Sequence, residues 1–430
     1  MNRKKSEAFL HRMSHLVPGG ASSNARCGSP IAVQRAKGAE LIDLDGNSYI
    51  DYVLGFGPIL LGHAHPSVAQ AVSEAMREGT TYAFSHEGEY RVIEQIVSLC
   101  PSVEMVRLCN SGTDAVTTAY RIACTHTGAT MAVKIEGDYH GNLDVLLHDI
   151  PGVESSMLDG KPVSASTGLS KQAGTLVRTV PFNDADALGN VLSQHSGKVA
   201  AVILEPILGN TATIMPTTGY LASVRSLCDE HGVVLILDEV KTGFRAGLGG
   251  AQAALDIEGD LIAYGKAIGN GLPIAALGGK RHLMELVFPG GVHHCGTYFG
   301  NVPCTAAAEA VLSFLRSSDY APILRRGEWL ARGICDLLAS ADIPAHWHGI
   351  GTMFGITIGE QSPNDYRSWW ENSDRQVWND IASELRDLGI LVDGFIGVFF
   401  LSFAHTDEHI TQTLSLCEEA IRRYRQKRSI

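Results

Sequence analysis

Two short apolar runs, about thirty residues apart, each deliver a charged side chain where the run stops. Val233-Val-Leu-Ile-Leu237 leads into Asp238-Glu239-Val240, and Leu261-Ile-Ala-Tyr264 leads through Gly265 into Lys266. Unbroken rather than alternating runs of this length read as strands buried on both faces, which belong almost only to parallel α/β sheets. Ligands of such sheets sit beyond the carboxyl ends of the strands, where Asp238 and Lys266 are expected. A lysine held there loses its proton by desolvation, and only the neutral amine attacks an aldehyde. Gly265, Gly269 and Gly271 let the backbone turn tightly and leave room for a flat ring. Taken alone, a Gly-Lys pair is far more often surface loop. A P-loop is excluded, because Ala267 follows the lysine and Asp260 stands where the first P-loop glycine belongs.

The partner upstream decides between these readings. A carboxylate just past a buried parallel strand pairs with a protonated ring nitrogen such as that of pyridoxal phosphate, which keeps the ring an electron sink. Asp238-Glu-Val-Lys-Thr-Gly-Phe-Arg245 together with Gly265-Lys-Ala-Ile-Gly-Asn-Gly-Leu-Pro273 resembles the class III aminotransferases of pyridoxal phosphate fold type I. Within them it most resembles the glutamate-1-semialdehyde aminomutase branch, from about Gly19 to the C-terminal region. The resemblance implies an α/β fold with a mostly parallel central sheet in a large domain (61–315), and a small α+β domain built from both chain ends (1–60 and 316–430). It also implies an enzyme that holds pyridoxal phosphate as a Schiff base on Lys266. Such an enzyme moves an amino group from an amino donor to a carbonyl acceptor by way of pyridoxamine phosphate. The alternative is an aminomutase, whose substrate carries the amine in turn at two carbons and never leaves.

Further motifs extend the likeness. Asn110-Ser-Gly-Thr-Asp-Ala115 follows a strand and opens a helix, so the amides of Ser111, Gly112 and Thr113 make a phosphate cradle; a plain N-cap is the other reading. Glu136-Gly-Asp-Tyr-His-Gly141 matches the segment whose aromatic, here Tyr139, stacks on the ring, while His140 has no assigned role. By resemblance, Glu205 supports Asn210 against the phenolic oxygen, and Val240 backs the ring. Thr297, in Gly296-Thr-Tyr-Phe-Gly-Asn-Val-Pro303, reaches the phosphate of a neighbouring subunit, which implies a homodimer with a shared site. Arg26, in a Gly-Gly-x-Ser-x-x-x-Arg stretch, matches the residue that holds a substrate carboxylate, to which its forked donors suit it.

One departure bears on the choice between the two reactions. The aminomutases carry a glutamate near the substrate arginine, and counting back from Ser402 the matching position is Gly397. The flanking residues Phe395, Ile396, Val398, Phe399 and Phe400 are either an apolar substrate wall or a buried strand.

Composition narrows the class of partner. A net charge of −12 argues against binding a phosphate backbone, so no nucleic acid is expected. No apolar run approaches the length that spans a bilayer, and the polar start lacks the apolar core of a signal peptide. Nine scattered cysteines without Cys-x-x-Cys spacing suit reduced thiols in a cytoplasm. His293-His-Cys295 is too compact to close on one ion, so no metal is expected, and His63 and His65 read as structural. A non-catalytic effector domain of a transcription regulator is disfavoured, since the motifs begin too early for a preceding DNA-binding module. The Ser-, Gly- and Thr-rich stretch 150–175 reads as a lid.

Overall fold

The computed structural model describes residues 1–152 and 162–428. Three strands, β1 (Val33–Lys37), β2 (Glu40–Asp43) and β3 (Ser48–Asp51), form an antiparallel meander. The Asp43 carboxylate accepts from the amides of Asp45 and Asn47, both at 2.9 Å, which closes the turn that Asp45-Gly46 announces.

Seven strands then build the main sheet: β4 (Met105–Cys109), β5 (Met131–Ile135), β6 (Val177–Val180), β7 (Val199–Leu204), β8 (Val234–Glu239), β9 (Leu261–Tyr264) and β10 (Ala275–Gly279). Their spatial order is β4-β10-β9-β8-β7-β5-β6. β10 is antiparallel to β4 and β9, and the other neighbours are parallel. Every residue of β7 and β8 is buried. Along β8, Leu235 and Leu237 join one core while Val234 and Ile236 join another, so both faces are covered and the unbroken apolar run is explained.

The C-terminal part adds β11 (Ala345–Ile350), β12 (Met353–Ile358), β13 (Ile390–Leu391) and β14 (Val398–Phe400). β13 pairs in parallel with β3, so both ends of the chain share one sheet. Ile50 and Tyr52 pack in the same core as Phe354, Trp378 and Phe399. On this pairing we propose the division already expected, a small body from 1–60 and 316–430 around a large one from 61–315.

Two helices, Val302–Arg316 and Ala321–Ala339, follow the main sheet. Pro322 lies in the first turn of the second, where its missing N–H is harmless but a continuing helix would clash. Val302 opens the first helix, with Asn301 as its cap. The apolar run before Ser402 resolves as core: Phe399 is fully buried in β14 and stacks on Phe354 at 4.9 Å, while Phe395 alone remains exposed. Trp369 is buried and Trp370 packs beside it, both in the helix Tyr366–Asn372. The expected lid falls partly on 153–161, outside the described residues; beyond it Lys171–Thr175 is a short helix.

Arg245 ties three distant chain segments together. Its guanidinium is buried, donates to the carbonyls of Gly57 (2.7 Å), Thr352 (2.9 Å) and Leu401 (2.7 Å), and lies 5.2 Å over the Phe400 ring. Burial without a carboxylate partner among the described residues pulls its pKa down to about 9. Arg245→Met takes a donor from three buried carbonyls, of which only that of Thr352 keeps another, the Leu401 amide at 3.0 Å, and is expected to remove about 2–5 kcal/mol of stability, read as a lower urea midpoint. An unchanged midpoint would show that the seam holds without it.

Candidate active site

A cavity of about 290 Å³ opens beyond the carboxyl ends of β7, β8 and β9. Nine of the expected residues line it: Ser111, Gly112, Thr113, Tyr139, Glu205, Asn210, Asp238, Val240 and Lys266. Arg26 and Thr297 do not; both are exposed, Arg26 on the turn Asn24–Arg26 and Thr297 in the loop before Asn301.

Lys266 opens a short turn of 3-10 helix directly after β9, with φ of 45°. That left-handed conformation is uncommon for a residue with a side chain, and such strain concentrates at functional sites. Burial lowers the pKa of its amine; Glu205 and Asp238 oppose the shift and Arg245 adds to it. The neutral, nucleophilic form is therefore more accessible than for a lysine in water.

Asp238 is held from behind. Its Oδ2 lies 2.8 Å from His140 Nδ1, and its Oδ1 accepts from the Val240 amide at 3.0 Å. On the far side of the ring, His140 Nε2 is 3.3 Å from Asp138 Oδ2, which also accepts from the Glu205 amide at 3.1 Å. Burial works against charge on His140, but the two carboxylates outweigh it and raise its pKa to about 9. His140 thus sits between two acids that favour its protonated form, the role the sequence left open.

Ser111 caps the helix Gly112–Thr127 through a capping box with Asp114. The Asp114 carboxylate takes both the Ser111 amide (3.0 Å) and its hydroxyl (2.8 Å), so one of the three amides expected in the cradle is already engaged. The amides of Gly112 and Thr113 have no hydrogen-bond partner among the described residues, which is the state of a helix start ready for an anion. A Cβ on Gly112 would lie 2.6 Å from Val240 Cγ2, so only glycine permits this close floor.

Glu205 accepts from the amides of Tyr139 (3.0 Å) and Gly209 (2.9 Å) and from Asn210 Nδ2 (2.5 Å). Burial, reinforced by Asp138, lifts its pKa to about 7. Tyr139 stands at the cavity wall, its hydroxyl 3.3 Å from Asn142 Oδ1. Three further buried groups had no role in the sequence reading: Asp138, Arg245 and the cavity-lining Lys241. Lys241 and Arg245 stand inside the quoted Asp238–Arg245 motif, yet nothing in a sequence says that their cationic ends turn inward.

A lysine of lowered pKa, a clamped carboxylate one strand away and two open helix-start amides fit an aldehyde-bearing, ring-nitrogen, phosphate-bearing cofactor, and together with the sheet they define a pyridoxal phosphate-dependent transferase of fold type I. The pattern of the class-III aminotransferases matches residues 22–421, and the chain belongs to that family. It is 39% identical over 430 residues to a glutamate-1-semialdehyde 2,1-aminomutase of Roseiflexus castenholzii, covering 98% of each chain. Its fold matches an omega-transaminase from Sphaerobacter thermophilus with a TM-score of 0.93 at 27% identity, over 98% of each chain. A transaminase solved with pyridoxal phosphate bound matches with a TM-score of 0.91 at 26% identity, over 99% of each chain. The chain is a class III enzyme that uses pyridoxal phosphate. No helix among the described residues is long and apolar enough to cross a membrane.

Proposed function

We propose that this enzyme moves an amino group between two carbons of one small amino-carbonyl acid, the intramolecular reaction named for its aminomutase relatives. The observation that supports amino transfer is that the Lys266 amine and the Asp238 carboxylate line one cavity beside open helix-start amides. The near-full-length likeness to a glutamate-1-semialdehyde 2,1-aminomutase supports the intramolecular form. The bound cofactor supplies a conjugated ring that takes up the electron pair left when a bond beside the amino nitrogen breaks.

In this reading Lys266 would hold the cofactor through its aldehyde carbon, and its amine, once free, would move a proton on the substrate. Asp238, steadied by His140, keeps the ring nitrogen protonated. Tyr139 covers one face of the ring and Val240 the other. Asn210, fixed by Glu205, donates to the phenolic oxygen. The Gly112 and Thr113 amides, the Ser111 hydroxyl and Thr297 of a second copy hold the phosphate, and Arg26 receives a substrate carboxylate.

One observation favours a second reading, transfer between a separate amino donor and carbonyl acceptor. Gly397 has φ of 69°, and a Cβ there would lie 2.3 Å from the Ile356 carbonyl oxygen. The glutamate that the aminomutases carry at this position has no room in this backbone. Incubating the loaded enzyme with glutamate-1-semialdehyde alone separates the readings. The mutase forms 5-aminolevulinate without added donor; a transaminase forms none, and instead releases a keto product when glutamate, alanine or an aromatic β-amino acid is supplied.

A further inference from the structure

The cavity holds a second lysine that the roles above leave unused. Lys241 follows Val240 directly, is only 6% exposed, and lines the same space as Lys266. Its Nζ donates to the Gly209 carbonyl at 2.7 Å and to Asn210 Oδ1 at 2.8 Å. It has no ion pair with a carboxylate among the described residues. The Phe400 ring lies 5.7 Å from Nζ, and a Cβ on Gly209 would meet Lys241 Cδ at 2.8 Å, so the chain is wedged.

This contact decides which way Asn210 faces. The two acceptors, Gly209 O and Asn210 Oδ1, take two hydrogens of the Lys241 amine whether or not it carries a third, so the amide turns its oxygen to Lys241. The Glu205 carboxylate accepts, so the amide turns its nitrogen to Oε1, at 2.5 Å. One Nδ2 hydrogen is then left over, on a residue that lines the cavity. A cation on the amide oxygen also strengthens the remaining N–H as a donor, since linked hydrogen bonds polarise one another.

We propose that Lys241 is a positioning residue that sets the orientation and donor strength of Asn210, and through it the pH at which the cofactor's visible absorbance changes. The inference rests on the reading of Asn210 as the partner of the phenolic oxygen. The charged groups that face Lys241 are Glu205 after β7, Asp238 on β8, Lys266 after β9 and Asp393 before β14, with Asp393 buried against the amides of Phe395 and Ile396. Burial pulls Lys241 down to about 7, Lys266 pulls the same way, and the three acids oppose. The sign of its influence follows. While protonated, Lys241 favours negative charge on the phenolic oxygen and disfavours a proton on the neighbouring Lys266 nitrogen, and the donor it orients on Asn210 acts in the same direction, so both lower the spectral midpoint.

The experiment is a pH titration of the visible band of the cofactor-loaded enzyme. K241M is expected to raise the midpoint by about one pH unit, and K241R to stay within about 0.3 units of the parent. In an N210A background the effect of K241M should shrink to less than half, the coupling expected of residues that act as one unit. Should K241M not fold, K241Q takes its place, with an upward shift again expected. A parent-like midpoint in the neutral variant, or a full additive shift in the N210A background, overturns the proposal. A parent with no visible band at all would instead overturn the cofactor assignment on which everything else stands.

Discussion

Lys266→Ala is expected to lower turnover by roughly 10⁴-fold or more, because in the proposed reading the variant lacks both the amine that holds the cofactor and the group that carries the proton. The geometry gives the reason: a buried strand delivers this amine into the cavity in a strained left-handed turn, with burial depressing its pKa. Borohydride treatment followed by mass spectrometry checks it directly. The parent should gain the cofactor's mass on the peptide that contains Lys266, and the variant should gain none. A label on the peptide of Lys241, the other cavity lysine, would move the assignment one strand over.

Asp238→Asn is expected to lower kcat by about 10²–10³-fold with little change in KM, the size of effect seen when one fixed charge stabiliser leaves an enclosed site. Asparagine keeps the shape but cannot carry the negative charge that holds both a ring-nitrogen proton and the His140 imidazolium. The second effect offers an independent reading. With one of its two acids neutralised, His140 loses part of what raises its pKa to about 9, so its ring nitrogens should titrate at lower pH in nitrogen NMR. A kcat within threefold of the parent, with His140 unmoved, would mean that Asp238 serves only to position the histidine.

The fold was legible wherever a local pattern and its environment agree. β8 and β9 fall on the two apolar runs that lead to Asp238 and Lys266, because a run buried on both faces needs no distant information to be recognised. The break between Arg316 and Ala321 is local too, marked by Pro322 in the first turn of the second helix. The site was legible as motifs but not as a network. Asp138, His140 and Glu205 are distant in sequence from Asp238, and it is the sheet that brings them together. The Ser111 amide shows the converse: its engagement depends on Asp114, three places on, and only the capping geometry reveals it. Gly397 reads in sequence as a missing glutamate, whereas in space it is a left-handed residue with a carbonyl 2.3 Å from where a Cβ would be.

The pairing of β3 with β13 also orders events on the ribosome. Ile50 emerges early and its partner Ile390 about 340 residues later. At synthesis rates of about 5–20 residues per second, the amino-terminal meander waits tens of seconds with one edge open. Throughout that time the strand offers unpaired amides and carbonyls to any nascent neighbour. The last forty residues therefore act as a delayed clasp, and premature termination anywhere before Ile390 should yield chains that aggregate through their first fifty residues rather than through the large sheet.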